Sequence, residues 1–214
     1  PERQPEIEQR LREGKLIAGP WYVLPDEFLV SGESLVRNIL LGRETALRFG
    51  GEPSNAGFMC DMFGHNSQIP QIFTGFGIRG AFVWRGTHLF EQRHFIWRGA
   101  DGTEIATYRF PWNGYCTYAV DVRAANLPER PAPVEIAARL EHHLQAEAQA
   151  TVVGPILAFD GGDHMEWDQA AYEVLAARFT SGASGTGAGL EIVHSSLDAY
   201  LEELKPEKSK ILAL

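Results

Sequence analysis

The feature that most constrains the fold of this chain is its alternation of short apolar runs with segments of helical periodicity. Three runs have the length of buried strands: "NAGFMC" (55–60), "GAFVW" (80–84) and "PILAF" (155–159). Amphipathic helices are predicted after the first and third runs, at 68–73 and 169–179. Buried strands that alternate with amphipathic helices are typical of a parallel α/β sheet or barrel.

Turn and cap signals predict the remaining elements. Ser31 is predicted to cap a helix that ends at Gly50-Gly51, and Asp101-Gly102 indicates the turn of a β-hairpin within 94–110. The first of these helices is expected to bury one face, formed by Leu35, Val36, Ile39, Leu40 and Leu47. Further helices are predicted at 6–17, after the proline-rich segment 127–133 and at 197–204, a strand at 190–194, and a flexible Gly/Ser loop at 180–189.

Composition and charge limit the class of protein. With 214 residues, 44% of them hydrophobic, the chain is predicted to form a single domain over 1–214. The net charge of −9 argues against a nucleic-acid groove or an anionic membrane surface, and favours a small partner that is neutral or cationic. Two cysteines are too few for a disulfide framework, and no apolar run reaches the roughly 18 residues of a membrane span. We therefore expect a cytoplasmic protein.

Polar residues follow the predicted strands at the point where each strand ends. Asp61 follows the first run, Arg85 the second, and Asp160 and Asp163 the third. Ligand sites of parallel α/β folds lie at the carboxyl ends of the strands, so these side chains are predicted to converge on one mouth. The alternative for any one of the acids is a helix N-cap, which aspartate also favours.

Three blocks of the sequence resemble the family 38 α-mannosidases, in the order that bacterial members show. "CDMFGHNSQIPQI" (60–72), followed by "GFGIRGAFVWRG" (75–86), resembles the Asp-x-Phe-Gly-His block of that family. "GPWYVLPDEFLVSGESLVRNILLG" (19–42) looks like the segment before that block, and "DGGDHMEWD" (160–168) is similar to its later acidic loop. The resemblance extends from about Gly19 to Leu204 and implies a glycoside hydrolase.

The resemblance implies a role for each matching residue. Asp61 would be the catalytic nucleophile and also a zinc ligand, Arg85 would contact the sugar, and Asp163 would be the general acid/base. It further implies a retaining hydrolase of terminal α-linked mannose on oligosaccharides or glycans, and a fold that is part of a distorted (β/α) barrel of the seven-stranded type. From their residue types, Trp112 and Tyr115 are predicted to offer stacking faces to the sugar. His65 is predicted to orient Asp61 rather than to bind the metal itself.

The zinc site implied by the resemblance is expected to be incomplete in this chain. The family adds a His-x-Asp pair and a further histidine, and no histidine precedes His65. The pair His142-His143 is predicted to lie solvated on the polar side of a helix. We therefore expect an internal piece of a larger enzyme, with a partial barrel, little activity of its own, and a tendency to self-associate that light scattering would detect.

Two alternatives from other classes remain at the level of sequence. A metal-dependent deacetylase on a similar barrel would show an Asp-Asp pair and a His-x-x-x-His spacing, and neither is present. A non-catalytic carbohydrate-binding or scaffold protein that has lost its metal ligands would show the same sequence features as an enzyme fragment. Binding of monosaccharides with and without zinc would separate these readings.

Overall fold

A computed structural model describes residues 2–87, 91–180 and 191–211, without the side chains of 178–180. In the described residues no helix is long and apolar enough to cross a membrane. From residue 181 onward the predicted Gly/Ser loop lies outside this set. The elements are α1 (Gln4–Arg12), α2 (Gly32–Arg48), β1 (Ala56–Met59), α3 (Ile69–Gly75), β2 (Gly80–Val83), β3 (His94–Arg98), β4 (Glu104–Arg109), α4 (Thr117–Asp121), α5 (Pro133–Ala150), α6 (Gln169–Thr180) and α7 (Leu197–Leu204), with short 3₁₀ helices at Gly114–Cys116 and Lys205–Lys210.

The four strands form one mixed sheet in the order β1-β2-β4-β3. Strands β1, β2 and β4 are parallel, with Phe58, Phe82 and Tyr108 in register, and β3 pairs with β4 as the predicted antiparallel hairpin. The predicted α/β alternation is therefore confirmed. A barrel is not confirmed, because this sheet is open: β1 and β3 each have one strand neighbour among the described residues.

Two predicted strands are wrong. Residues 155–159 and 191–194 have no regular structure, and Leu190 lies outside the described residues. The apolar run at 155–159 is used for packing instead: Phe159 stacks on Phe58 at a ring distance of 6.0 Å and meets Phe110 edge-on at 5.2 Å. A short apolar run can bury its side chains against a sheet without joining the hydrogen-bond ladder, and the sequence does not distinguish the two cases.

Helix α2 begins as predicted, but its buried face differs from the prediction. The Ser31 hydroxyl accepts a hydrogen bond from the Ser34 amide at 3.2 Å, which caps the helix. Leu40 and Leu47 are exposed, whereas the buried positions are Leu35, Ile39, Gly42 and Ala46. The expected self-association stays a prediction, and these exposed leucines are a surface on which it could occur. Helix α1 ends at Arg12, earlier than predicted, because Gly14 adopts a positive φ of 67°.

Both faces of the sheet are covered. Helices α2 and α3 pack on one face through Ile39, Ile69 and Phe73. On the other face, α7 contributes Tyr200, Leu201 and Leu204, which pack with Phe82 and Tyr108.

Helix α7 is also fixed to the entrance of β1 by polar contacts. The Asp198 carboxylate accepts hydrogen bonds from the Ser54 hydroxyl and from the Asn55 amide, both at 2.7 Å. Gly80 in β2 lets Leu201 approach closely, since a Cβ atom at position 80 would lie 2.7 Å from a Leu201 methyl carbon. The sheet and the far end of the described chain therefore form one packed unit.

The prediction of a solvated histidine pair is wrong for His143. His142 is exposed, but His143 is buried and its ring meets Tyr118 edge-on at 5.5 Å. Burial lowers the pKa of His143 from its usual value. The adjacent positions point in different directions because successive residues of a helix are about 100° apart.

A second buried histidine, His94 on β3, is expected to make the free energy of unfolding decrease at acid pH. Its Nε2 lies 2.8 Å from the Tyr200 hydroxyl, and burial together with the charge of Arg93 lowers the pKa of His94 to about 4. The unfolded chain therefore takes up the proton first as the pH falls. We expect His94 to contribute stability that is complete above about pH 6.5 and declines by about 2–3 kcal/mol towards pH 4.

Denaturant unfolding at pH 7 and pH 4.5 measures this effect. The His94→Gln variant should lose less stability between the two pH values than the wild type. The matched control, His142→Gln, changes an exposed histidine and should leave the pH dependence as it is. Equal pH dependence in wild type and His94→Gln would contradict the prediction.

Candidate active site

Asp61 and Arg85 form an ion pair at the carboxyl ends of two neighbouring parallel strands. Asp61 lies two residues after the end of β1, and Arg85 lies two residues after the end of β2. The Nε and Nη2 atoms of Arg85 lie 2.7 Å and 2.6 Å from Oδ1 of Asp61. The Asp61 side chain is 42% exposed and the Arg85 side chain is 38% exposed, so a ligand can reach the pair.

Aromatic rings hold the guanidinium of Arg85 in place. It lies over the Trp84 ring at 3.7 Å and near the Phe63 ring at 5.3 Å, both within cation–π range. The indole N–H of the half-buried Trp84 donates to the carbonyl oxygen of Trp112 at 3.1 Å. The Trp112 side chain itself is 80% exposed, and its backbone carbonyl is the group that binds Trp84.

Tyr115 connects the ion pair to the second predicted acid, Asp163. Its hydroxyl donates to Oδ1 of Asp163 at 3.0 Å, and its ring meets Trp84 edge-on at 5.8 Å. Partial burial, the bond to Asp163 and the charges of Asp163 and Asp61 raise the pKa of Tyr115 to about 12. Tyr115 therefore stays protonated at neutral pH. The negative charges of Asp61 and Asp163 both contribute to the raised pKa of its hydroxyl.

The backbone before Tyr115 is shaped to let Trp84 approach. Gly114 has a φ of 61°, and a Cβ atom there would lie 2.4 Å from the Trp84 ring. Only glycine combines this conformation with such a close contact.

Asp160 pairs with a residue outside this group, and its convergence on the same mouth as Asp163 stays a prediction. Its carboxylate pairs with Arg123 at 2.6 Å, and Arg123 also donates to the Glu166 carbonyl oxygen at 2.5 Å. These contacts fix both ends of the segment 160–166, at whose centre Asp163 is exposed. The role of Asp160 is to hold the loop that presents Asp163.

An open groove of about 550 Å³ is lined in part by residues 164–168, which follow Asp163 in the sequence. Trp167, 59% exposed, contributes to its wall and packs against Tyr172 at a ring distance of 5.3 Å. Arg130, His164, Gln169 and Glu173 also line the groove. Asp61, Arg85 and Asp163 do not line this groove.

The side chain of His65 lies beside Glu27. Its Nδ1 lies 3.5 Å from Oε1 of Glu27, a buried carboxylate that sequence reasoning did not single out, and its ring meets Trp97 edge-on at 6.0 Å. The signal in the sequence is slight, because Glu27 stands in the irregular segment "LPDEF", where no periodicity indicates burial. Orientation of Asp61 by His65 stays a prediction.

The residues of the described segments do not by themselves fit a zinc site. A catalytic zinc takes three protein ligands, and within residues 2–87, 91–180 and 191–211 no group of three histidine, cysteine, aspartate or glutamate side chains could hold a metal ion. The donor that the resemblance points to, Asp61, has the Arg85 cation on one oxygen. A metal ion at Asp61 would require further ligands.

Comparisons with known proteins agree with the fold. The glycosyl hydrolases family 38 N-terminal domain matches residues 1–212. The "Putative mannosylglycerate hydrolase" of Halalkalibacterium halodurans is 35% identical over 118 residues, which are 49% of this chain and 13% of that protein. "Alpha-mannosidase G" of Dictyostelium discoideum is 30% identical over 128 residues, 55% of this chain and 12% of that protein.

The crystal structure of an α-mannosidase from Enterococcus faecalis V583 has the same fold. It superimposes with a TM-score of 0.82 at 24% identity and covers 100% of this chain and 23% of its own. The matches thus span about an eighth of the two relatives and a quarter of the solved structure. With the family profile matching almost every residue, this chain belongs to the N-terminal domain of the family 38 glycosyl hydrolases.

Proposed function

We propose that this chain carries the two catalytic carboxylates of a retaining α-mannosidase. Asp61 is the nucleophile, Asp163 is the general acid/base, and Arg85 orients both Asp61 and the sugar hydroxyls. The observation that supports this proposal best is the group of four residues in which Asp61 pairs with Arg85 and Asp163 with Tyr115. Two carboxylates on opposite sides of one sugar ring are what a retaining glycosidase needs, at a separation of about 5–5.5 Å in the working site.

In the first step, a carboxylate oxygen of Asp61 bonds to the anomeric carbon of mannose while the bond to the leaving oxygen breaks. Asp163 gives its proton to that oxygen and becomes a carboxylate. Both contacts of Arg85 are made to Oδ1 of Asp61, so we assign the attack to Oδ2. The Tyr115 hydroxyl, which stays protonated, donates to Asp163 and can support the negative charge that forms there.

In the second step, water attacks the anomeric carbon from the side that the leaving group vacated. Asp163 takes the proton of that water, the ester bond to Asp61 breaks, and both carboxyl groups return to their starting states. Two inversions at one carbon give retention of configuration. The exposed Trp112 ring offers an apolar face against which the sugar can stack.

Zinc and the closed barrel belong to the whole protein in this proposal. A zinc ion on Asp61 would require ligands beyond the described residues, and the steps above do not use it. The open sheet would be one part of a (β/α) barrel, and a terminal α-mannoside of an oligosaccharide or glycan would be the substrate. Because the first relative is named for mannosylglycerate, substrate trials should include both α-mannobiose and mannosylglycerate.

The Asp163→Asn variant of the whole protein tests the general acid. Its kcat/KM on α-mannobiose, whose leaving oxygen requires a proton, should fall about 10²–10⁴-fold. The rate of glycosylation by 2,4-dinitrophenyl α-mannoside should change little, because that leaving group departs without a proton. Asp121→Asn, an exposed aspartate at the end of α4, is the matched control. Equal losses on both substrates would contradict the assignment of Asp163.

A further inference from the structure

Asp26 and Glu27, in the irregular segment before α2, bind the turn that follows Asp61. Oδ1 of Asp26 accepts a hydrogen bond from the Phe63 amide at 3.2 Å. The Glu27 amide donates to the Phe63 carbonyl oxygen at 2.8 Å. Both backbone groups of Phe63, two residues after Asp61, are therefore bound by this segment.

The Glu27 carboxylate binds the same turn through hydrogen bonds in the protein interior. The side chain of Glu27 is fully buried, with 0% exposure. Its Oε2 accepts from the Asn66 amide at 2.8 Å and from the Asn66 side-chain nitrogen at 2.6 Å, and its Oε1 lies 3.5 Å from Nδ1 of His65. A buried carboxylate is costly unless donors satisfy it, and all of these donors come from residues 65–66.

Side-chain packing adds to the contact between this segment and the turn that follows Asp61. Gly64 has a φ of 94°, and a Cβ atom there would lie 2.7 Å from the Phe28 ring. The position therefore admits only glycine, and the Phe28 ring lies directly against the turn. On the other side, the ring of Phe63 contacts the Arg85 guanidinium at 5.3 Å.

We infer that Glu27 is a positioning residue for Asp61. The β1 ladder fixes the chain before Asp61, and the bonds from Glu27 to residues 65–66 fix the chain after it. Asp61 lies between these two anchors with 42% of its side chain exposed, so its direction depends on both. This inference rests on the proposed role of Asp61 as nucleophile.

The Glu27→Gln variant of the whole protein tests the inference. Glutamine has the same size, but it has one acceptor oxygen in place of two and lacks the negative charge that strengthens the hydrogen bonds from Asn66. A displacement of the nucleophile by about 1 Å can lower the rate about 100-fold. We expect kcat to fall about 10- to 100-fold with KM changed by less than about threefold.

Covalent labelling of Asp61 provides a second measurement. A 5-fluoro-α-mannosyl fluoride forms a slowly hydrolysed ester on the nucleophile, and mass spectrometry of peptides locates it. The labelling rate of Glu27→Gln should fall by the same factor as kcat. Glu33→Gln is the matched control, because Glu33 is 68% exposed and pairs with Arg37 on the surface of α2.

A variant on the other side of the contact keeps the test decisive if Glu27→Gln folds poorly. Asn66→Ala removes the side-chain hydrogen bond to Oε2 of Glu27, keeps the backbone one, and should slow the labelling of Asp61 by a smaller but measurable factor. Folded protein is quantified by thermal melting before each assay. Absence of label on Asp61 in the wild type would refute the proposed function, whereas labelled wild type with wild-type rates in both variants would refute the positioning role alone.

Discussion

Asp61→Asn is expected to lower kcat for hydrolysis of p-nitrophenyl α-mannoside by about 10⁴-fold or more in the whole protein, since loss of a nucleophile removes the covalent route. The asparagine amide keeps the shape of the side chain but cannot form the glycosyl ester. Arg85 would lose its anionic partner, yet the Trp84 ring at 3.7 Å still supports the guanidinium. The measurement is steady-state kinetics of wild type and variant at equal concentrations of folded protein.

Calorimetric titration with zinc separates two reasons for that loss. If Asp61 only attacks the sugar, wild type and Asp61→Asn should bind zinc alike. If Asp61 is also a metal ligand, affinity should fall in the variant. Asp121→Asn serves as the control for both measurements, because it changes an exposed aspartate in the same way. An Asp61→Asn variant with more than about a tenth of wild-type activity would contradict the nucleophile assignment.

Glu147→Gln is expected to lower the free energy of unfolding by about 3–5 kcal/mol, the largest loss among the single variants. The Glu147 carboxylate lies on α5 with 3% exposure and receives the guanidinium of Arg93, with Nε at 2.9 Å and Nη2 at 2.9 Å. The Tyr108 hydroxyl also donates to it, at 3.5 Å. Glutamine would leave the cation of Arg93, 11% exposed, without its countercharge.

Two further variants decide whether burial is the cause. Glu104→Gln breaks the exposed pair with Arg98 at 2.7 Å and should cost less than about 1 kcal/mol. The double variant Arg93→Met/Glu147→Leu removes both charges and should recover most of the loss, since apolar side chains can replace a buried ion pair. Urea unfolding of all variants gives the comparison, and a Glu147→Gln loss no larger than that of Glu104→Gln would contradict it.

The sequence predicts those elements of the fold whose local signals agree with their packing. The cap at Ser31, the Asp101-Gly102 turn and helix 197–204 are all found at or next to the predicted residues. The strands predicted at 155–159 and 190–194 are not found among the described residues of those runs, because apolar content alone does not show whether a neighbouring strand has a free edge. The buried face of α2 also differs from the prediction, because apolar residue type alone does not show that Leu40 and Leu47 are exposed.

The part of the site that lies at the carboxyl ends of the strands could be predicted from the sequence. Asp61 and Arg85 meet because β1 and β2 are parallel neighbours, and the motifs of the resemblance mark both residues. The contacts of Asp160 with Arg123 and of Glu27 with Asn66 join residues 37 and 39 positions apart. No local pattern encodes such pairs, so these two acids could be assigned only from the structure.

The bonds from α7 to the entrance of β1 have a consequence for folding. Asp198 and Ser54 are separated by 144 residues, and Tyr200 with Leu201 covers a face of the sheet that includes Phe82. At a synthesis rate of about 5–20 residues per second, β1 would leave the ribosome roughly 7–30 s before the helix that completes its packing. During that interval the uncovered face of the nascent sheet is a natural ligand for a chaperone, and such long-range closure also predicts slow refolding from denaturant.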